Sequence, residues 1–168
     1  LIELIGAALS FIVFIQDYSL FRAIGVSLFH SVASFNNAGF DIFGGGQSMV
    51  PYTDNIYLNI ITCVLIFFGG IGFLVIQELW QKKCQWKKLS MHTKVVLSVS
   101  LALIIIGTLL IKLTEPVSWL CALFHSVSTR TAGFASRPIG NFGAPALLVM
   151  IVLMFIGASS GSTGGGIK

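Results

Sequence analysis

Charge is what this sequence most lacks: only 10% of its 168 residues are Asp, Glu, Lys or Arg, against about a quarter in soluble domains. That shortage excludes a soluble domain of ordinary make-up. Disorder is excluded as well, because 55% of the chain is apolar. Acid is missing over one long stretch, with no Asp or Glu between Glu78 and Glu115. Cysteine is scarce: Cys63, Cys84 and Cys121 are an odd number without CxxC spacing, so neither a disulfide framework nor a zinc site follows. Cys63 sits in an apolar run, where a small buried hydrophobe is its ordinary role. Methionine does not open the chain, and no basic region precedes the first apolar run, Leu4 to Phe14, which is too short for a comfortable span. The run reads as the tail of a helix, and the whole as an internal segment of a longer protein.

What is present is long uncharged sequence. Asn55 to Gln77 is 23 residues, Val95 to Ile111 is 17 and Pro138 to Ile167 is 30, and a helix needs about 20 apolar residues to cross a bilayer. Lys82, Lys83, Lys87, Lys88 and Lys94 lie together between two of these runs, which is the positive-inside pattern of a cytoplasmic loop. A nucleic-acid patch would need a soluble surface that the composition does not offer. Trp80, Trp86 and Tyr52 are expected at the membrane interfaces.

Two further stretches do not behave as spans. Ala23 to Phe40 and Pro116 to Thr129 each begin as an apolar helix, continue in small and polar residues, and lead into Gly-Phe. Irregular backbone at membrane depth survives only inside protein or facing a water-filled cavity, so each reads as a re-entrant half-helix and turn. Ser19 is the expected cap of the first half-helix, and Pro116 is expected in the first turn of the second. The two stretches repeat one another. Leu28-Phe29-His30-Ser31-Val32 recurs as Leu123-Phe124-His125-Ser126-Val127 at an offset of 95, and Ala38-Gly39-Phe40 as Ala132-Gly133-Phe134 at 94. Leu65 to Gly70 aligns with Leu153 to Ala158 at 88. The fold class that follows is an all-α membrane protein of two tandem span, re-entrant pore helix and span repeats. Residues 1–81 form one, residues 82–94 the cytoplasmic basic loop, and residues 95–168 the other.

A half-helix entering from outside points the negative end of its dipole toward the membrane centre, which favours a cation. The turns after it, Asn36-Asn37-Ala38-Gly39-Phe40 and Arg130-Thr131-Ala132-Gly133-Phe134, offer main-chain carbonyls. Such oxygens can replace a cation's hydration shell, as in potassium filters. Aiming them one way requires positive φ, which glycine adopts without steric cost. Gly39 and Gly133 are therefore the leading filter residues, with Phe40 and Phe134 expected to wedge the turns from behind. Asp41 would concentrate cations at the mouth. Arg130, beside a cation path, is expected to point behind the filter and pair with an acid or with carbonyls of a neighbouring segment.

Other chemistry is weaker. His30-Ser31 and His125-Ser126 could serve a membrane-embedded hydrolase, but adjacent helical residues do not face one another. Cys121 and His125 have metal-ligand spacing with only two ligands, and core packing is the plainer reading. Gly161 to Lys168 is a near-miss to a phosphate loop, spoiled by Ile167 before the lysine and by its membrane context.

The two Leu-Phe-His-Ser-Val…Ala-Gly-Phe stretches and the tail Gly-Ser-Thr-Gly-Gly-Gly-Ile-Lys resemble the pore-forming membrane subunits of the Trk/Ktr/HKT potassium transporter superfamily. The resemblance covers nearly the whole chain. It implies a potassium-channel-like pore of four such repeats in one chain, of which this sequence resembles the second and most of the third. Potassium would be held by backbone carbonyls of Asn37, Ala38, Gly39, Thr131, Ala132 and Gly133, with sodium as the second candidate ion. An intramembrane gate would correspond to Gly157, Ala158, Ser159, Ser160, Gly161, Ser162, Thr163, Gly164, Gly165 and Gly166. Five glycines in these ten residues, each costing about 1 kcal/mol in a helix interior, support a break there independently. The corresponding Gly69 to Phe73 returns to apolar residues and is expected to stay helical. The implied setting is the cell membrane, with filters facing outside and residues 82–94 in the cytoplasm. The implied partners are the other two repeats, a second copy of the subunit, a cytoplasmic nucleotide-binding regulatory subunit and the lipid bilayer, without nucleic acid.

Overall fold

The repeat reappears as a repeat of packing. In a computed structural model that describes residues 1–83 and 85–167, seven α-helices run in order: α1 Ile2–Asp17, α2 Leu20–Phe35, α3 Ile56–Ile71, α4 Phe73–Gln81, α5 Met91–Thr114, α6 Trp119–Ser128 and α7 Ala144–Ile156. Helices α1, α2 and α3 pack on one another, as do α5, α6 and α7, and α3 also packs on α6 across the two trios. Each trio is keyed by the same three residues. A Cβ on Gly6 of α1 would lie 2.5 Å from Ser31 Oγ and 2.7 Å from a Leu65 methyl. On Gly107 of α5 it would lie 2.5 Å from Ser126 Oγ and 2.8 Å from a Leu153 methyl. The serines donate at corresponding places, Ser31 Oγ to the Glu3 carbonyl (2.7 Å) and Ser126 Oγ to the Ile104 carbonyl (2.9 Å). Glycine is needed at 6 and 107 because the half-helix hydroxyl and the third helix's leucine occupy the space of a side chain.

Helix α5 alone among the described helices is long and apolar enough to cross a membrane, with α3 and α4 together a bent second candidate. Its 24 residues extend about 36 Å at 1.5 Å per residue. Apolar side chains cover its outside and that of α7, among them Ile105, Ile106, Leu113, Leu148 and Ile151. Such continuous exposed apolar surface needs an apolar environment. The polar residues turn inward instead: Ser31, Thr62, Asn59, Ser126 and both half-helix histidines are buried.

Three sequence expectations need correction. The α3 stretch does not stay helical: it breaks at Gly72 (φ 92) and α4 leaves at 98°. The cause lies in the other repeat, whose Gly161 carbonyl receives the Phe73 amide (3.3 Å). Pro116 does not enter the first turn of α6. Ser118 caps that helix instead, its hydroxyl accepting from Cys121 N–H at 3.1 Å. Ser19 occupies the cap position of α2 without a side-chain hydrogen bond. The third concerns Phe40, taken up below. Trp80 and Trp86 are exposed, whereas Tyr52 turns inward, packs on Phe14 and donates to Asp17 Oδ2 (2.8 Å). Burial and that acceptor raise its pKa. Cys84 and Lys168, both part of sequence readings above, lie outside the described residues.

Candidate functional site

The half-helices α2 and α6 end in turns that touch. Gly39 N–H donates to the Ala132 carbonyl (2.6 Å), and a Cβ on Gly39 would lie 2.7 Å from Gly133 Cα. The two glycines are required for different reasons. Gly133 has φ 84, which side-chain-bearing residues rarely adopt. Gly39 does not have positive φ; its demand is for room against the backbone of the other turn.

In the first turn the left-handed residue is Asn37 (φ 50), a residue type that tolerates that region. It closes α2 in a Schellman arrangement, with Ala38 N–H on the Ala33 carbonyl (2.9 Å) and Asn37 N–H on the Ser34 carbonyl (3.2 Å). The matching residue of the second turn, Thr131, has φ 78. A β-branched residue is strained there. Ser128 compensates, its carbonyl accepting from Ala132 (2.9 Å) and Gly133 (3.3 Å) and its hydroxyl donating to the Phe134 carbonyl. Sequence reasoning passed over Ser128, whose signal was a small polar residue at the end of an apolar helix.

The carbonyls are not all equivalent. Ala132 O is occupied by Gly39 N–H, and Ala38 O accepts from Phe40 N–H. The two phenylalanines also part company. Phe134 is 5% exposed and sets its ring edge-on to His30 at 5.6 Å. Phe40 is 65% exposed and rests on Phe29, so it wedges nothing. Asp41 is engaged in its own loop, accepting from the amides of Phe43, Gly44 and Gln47.

Directly against both turns lies the chain after α7. At Gly157 (φ 67) the helix stops, and residues 157–166 close into an Ω-like loop whose ends meet. Ala158 N–H bonds the Gly165 carbonyl (3.0 Å), and Ile167 N–H bonds Phe155 O (3.1 Å). Asn37 Nδ2 donates to Thr163 Oγ1 (3.2 Å), and Gly165 N–H donates to Thr131 Oγ1 (2.9 Å). The left-handed residue of each turn therefore holds the same loop. Thr163 Oγ1 also reaches the carbonyls of Phe35 (3.1 Å) and Gly69 (3.3 Å). The loop borrows the broken end of α3 as well, through Ser159 N–H to Gly70 O (3.0 Å) and Thr163 N–H to Gly69 O (3.4 Å).

Arg130 is buried and reaches the carbonyls of neighbouring segments. Its Nε donates to Gly157 O (3.2 Å), and its two terminal nitrogens to Ser100 O (3.4 Å) and Ser100 Oγ (3.3 Å). It ties the second turn to α5 and to the point where α7 stops.

The histidine-serine pairs do not form acid-base couples. His30 Nε2 pairs with Thr62 Oγ1 (2.9 Å), while Ser31 turns to α1. His125 stacks edge-on to Phe142 at 4.7 Å, and Ser126 turns to α5. Cys121 is joined within bonding reach by Ser136 at 3.8 Å, and no group of three metal-ligating side chains occurs among the described residues.

Compared with known proteins, the chain matches the family model described as TrkH, cation transport protein, over residues 1–168. It is 43% identical over 158 residues to Ktr system potassium uptake protein B of Vibrio alginolyticus, covering 84% of this chain and 34% of that one. It is 36% identical over 178 residues to potassium/sodium uptake protein NtpJ of Enterococcus hirae, covering 99% and 39%. The chain thus spans little more than a third of the length of these relatives. Its fold is similar to the crystal structure of the potassium transporter TrkH from Vibrio parahaemolyticus, with a TM-score of 0.72 at 22% identity over 97% of this chain and 36% of that one.

Proposed function

The chain belongs to the TrkH family of cation transport proteins, and we propose that it supplies two of the repeats that surround a potassium pathway through the cell membrane. The family is one of membrane transporters, not of enzymes, and the hydrolase reading falls with that. The observation that carries the proposal is the contact of two duplicated glycine turns, Asn36–Phe40 and Arg130–Phe134, at Gly39 and Gly133. In this reading their carbonyls border the ion. Asn37, Gly39, Thr131 and Gly133 contribute on this side, and Ala38 and Ala132 contribute once the turns part to admit the cation. The negative ends of α2 and α6 favour the cation there. Potassium is the proposed cargo and sodium the alternative, in keeping with the names of the relatives. Uptake would be driven by the membrane potential, about 2.3 kcal/mol per charge per 100 mV.

The loop of residues 157–166 is the proposed gate, because it lies against both turns and is held by hydrogen bonds rather than by a packed helix. Further repeats, a second copy and a cytoplasmic nucleotide-binding subunit complete the proposed assembly, with residues 82–94 on the cytoplasmic side. The gate is tested by Thr163→Val, which removes the hydroxyl that joins Asn37, Phe35 and Gly69. Losing two or three bonds of about 1 kcal/mol each should shift the closed-to-open balance at least tenfold. Potassium uptake by the complete transporter in depleted cells should rise, and a variant lacking residues 159–165 should behave likewise. Unaltered uptake in both would refute the gate.

A further inference from the structure

Each turn is moored to its own repeat's first helix by the side chain just before its left-handed residue. In the second repeat that side chain is Arg130, bound to Ser100 of α5. At the matching register of the first repeat stands Asn36, and its Nδ2 donates to Glu3 Oε1 of α1 at 3.1 Å. The same Nδ2 also reaches the Val32 carbonyl at 2.9 Å, which fixes the amide's orientation. Glu3 is held from the other side too, since its main-chain carbonyl accepts from Ser31 Oγ (2.7 Å). It therefore grips α2 both at the half-helix and at the turn.

The second repeat supplies an internal control. Gly6 and Gly107 play one part in their trios, and by that offset of 101 the counterpart of Glu3 is Ile104, whose carbonyl likewise accepts from a half-helix serine. The fold does not demand an acid at this register. A carboxyl group in an otherwise apolar helix start costs a few kcal/mol to place in a membrane, and here it is spent on a filter-turn amide. We infer that Glu3 is a positioning residue for the first turn, acting through Asn36 to hold Asn37 to Gly39 in register with the second turn. Asn36 and Arg130 are two solutions to one mooring problem, an amide on an acid and a guanidinium on carbonyls and a hydroxyl.

This rests on the reading of the turns as the ion path, and the experiment separates the two. The potassium-to-sodium permeability ratio is measured for the complete transporter in liposomes, beside its thermal stability in detergent. If the unaltered protein passes neither ion, the ion-path reading fails whatever the variants do, and the variants are scored against its potassium preference. Given that preference, Glu3→Leu and Asn36→Leu should each lower the ratio at least fivefold. Glu3→Gln, which keeps an acceptor for Asn36, should stay within twofold of the unaltered protein. The double variant Glu3→Leu/Asn36→Leu should be no worse than the poorer single one, because both remove the same bond. A ratio unchanged in Glu3→Leu overturns the inference, as does a double variant whose loss is the product of the two. Loss in Glu3→Gln equal to that in Glu3→Leu also overturns it. Should Glu3→Leu fail to fold, Asn36→Leu and Glu3→Gln carry the same comparison.

Discussion

Alanine at Gly39 and alanine at Gly133 should fail for different physical reasons, and asparagine tells the two apart. A Cβ on Gly39 would stand 2.5 Å from the Ala132 carbonyl oxygen, where real Cβ atoms do not come within 3.0 Å. The three nearest atoms are all backbone, so the turns must separate by about half an ångström, which stretches the 2.6 Å Gly39–Ala132 bond to about 3.1 Å and forfeits part of its worth of about 1 kcal/mol. On Gly133 the nearest atom would be Gly39 Cα at 3.5 Å, an ordinary contact. There the cost is conformational, about 1–2 kcal/mol for a side chain at φ 84. That corresponds to about 5–30-fold in the population of the native turn. Asparagine adopts left-handed backbone more readily than alanine, so Gly133→Asn should recover part of what Gly133→Ala loses. Gly39→Asn should be no better than Gly39→Ala, because a longer side chain only deepens the clash. The assay is the reversal potential of the complete transporter in planar bilayers under opposed potassium and sodium gradients. Asparagine rescue at 39 but not at 133 would refute the reasoning, and so would wild-type selectivity in all four variants.

The buried histidines should also differ. His30→Leu breaks the bond to Thr62 and should lower the melting temperature more than His125→Leu, since His125 Nε2 has no hydrogen-bond partner among the described residues; equal losses would contradict this. Glu78 gathers Lys82, the Ser90 amide and hydroxyl, and Thr93, pinning both ends of the basic loop. Glu78→Ala should therefore speed tryptic cleavage at Lys82, Lys87 and Lys88 in vesicles exposing the cytoplasmic face, and an unchanged rate would show that the loop is held by something else.

The repeat, the half-helices and the glycine turns were legible because each interrupts an apolar run with residues that lipid does not tolerate unaccompanied. The break at Gly72 was not. Ile71 and Phe73 are equally at home in a straight or a bent helix, and what bends the chain is the loop of the other repeat, 88 residues downstream of Phe73 at Gly161. Composition cannot report a partner that is distant in sequence. Gly39 was expected to supply positive φ, but the left-handed backbone belongs to Asn37, and the glycine answers to a neighbour. Phe40 shows the limit of arguing by duplication. Matching residues share a backbone place, but His30 offers Phe134 a buried face while Phe40 finds only Phe29. Glu3 stood just ahead of the run read as the tail of a helix, Leu4 to Phe14, and its purpose emerges only when Asn36 is seen beside it.

The interlocked breaks of α3 and α7 have one more consequence. The amides of Ser159 and Thr163 cover the carbonyls of Gly70 and Gly69, oxygens that no helix completes and that hydrocarbon will not solvate. If the loop swings aside as the proposed gate, those oxygens are stripped, and water must take the place of the amides. Movement and wetting are then a single event: the passage fills with water because it opens, and it empties as the amides return.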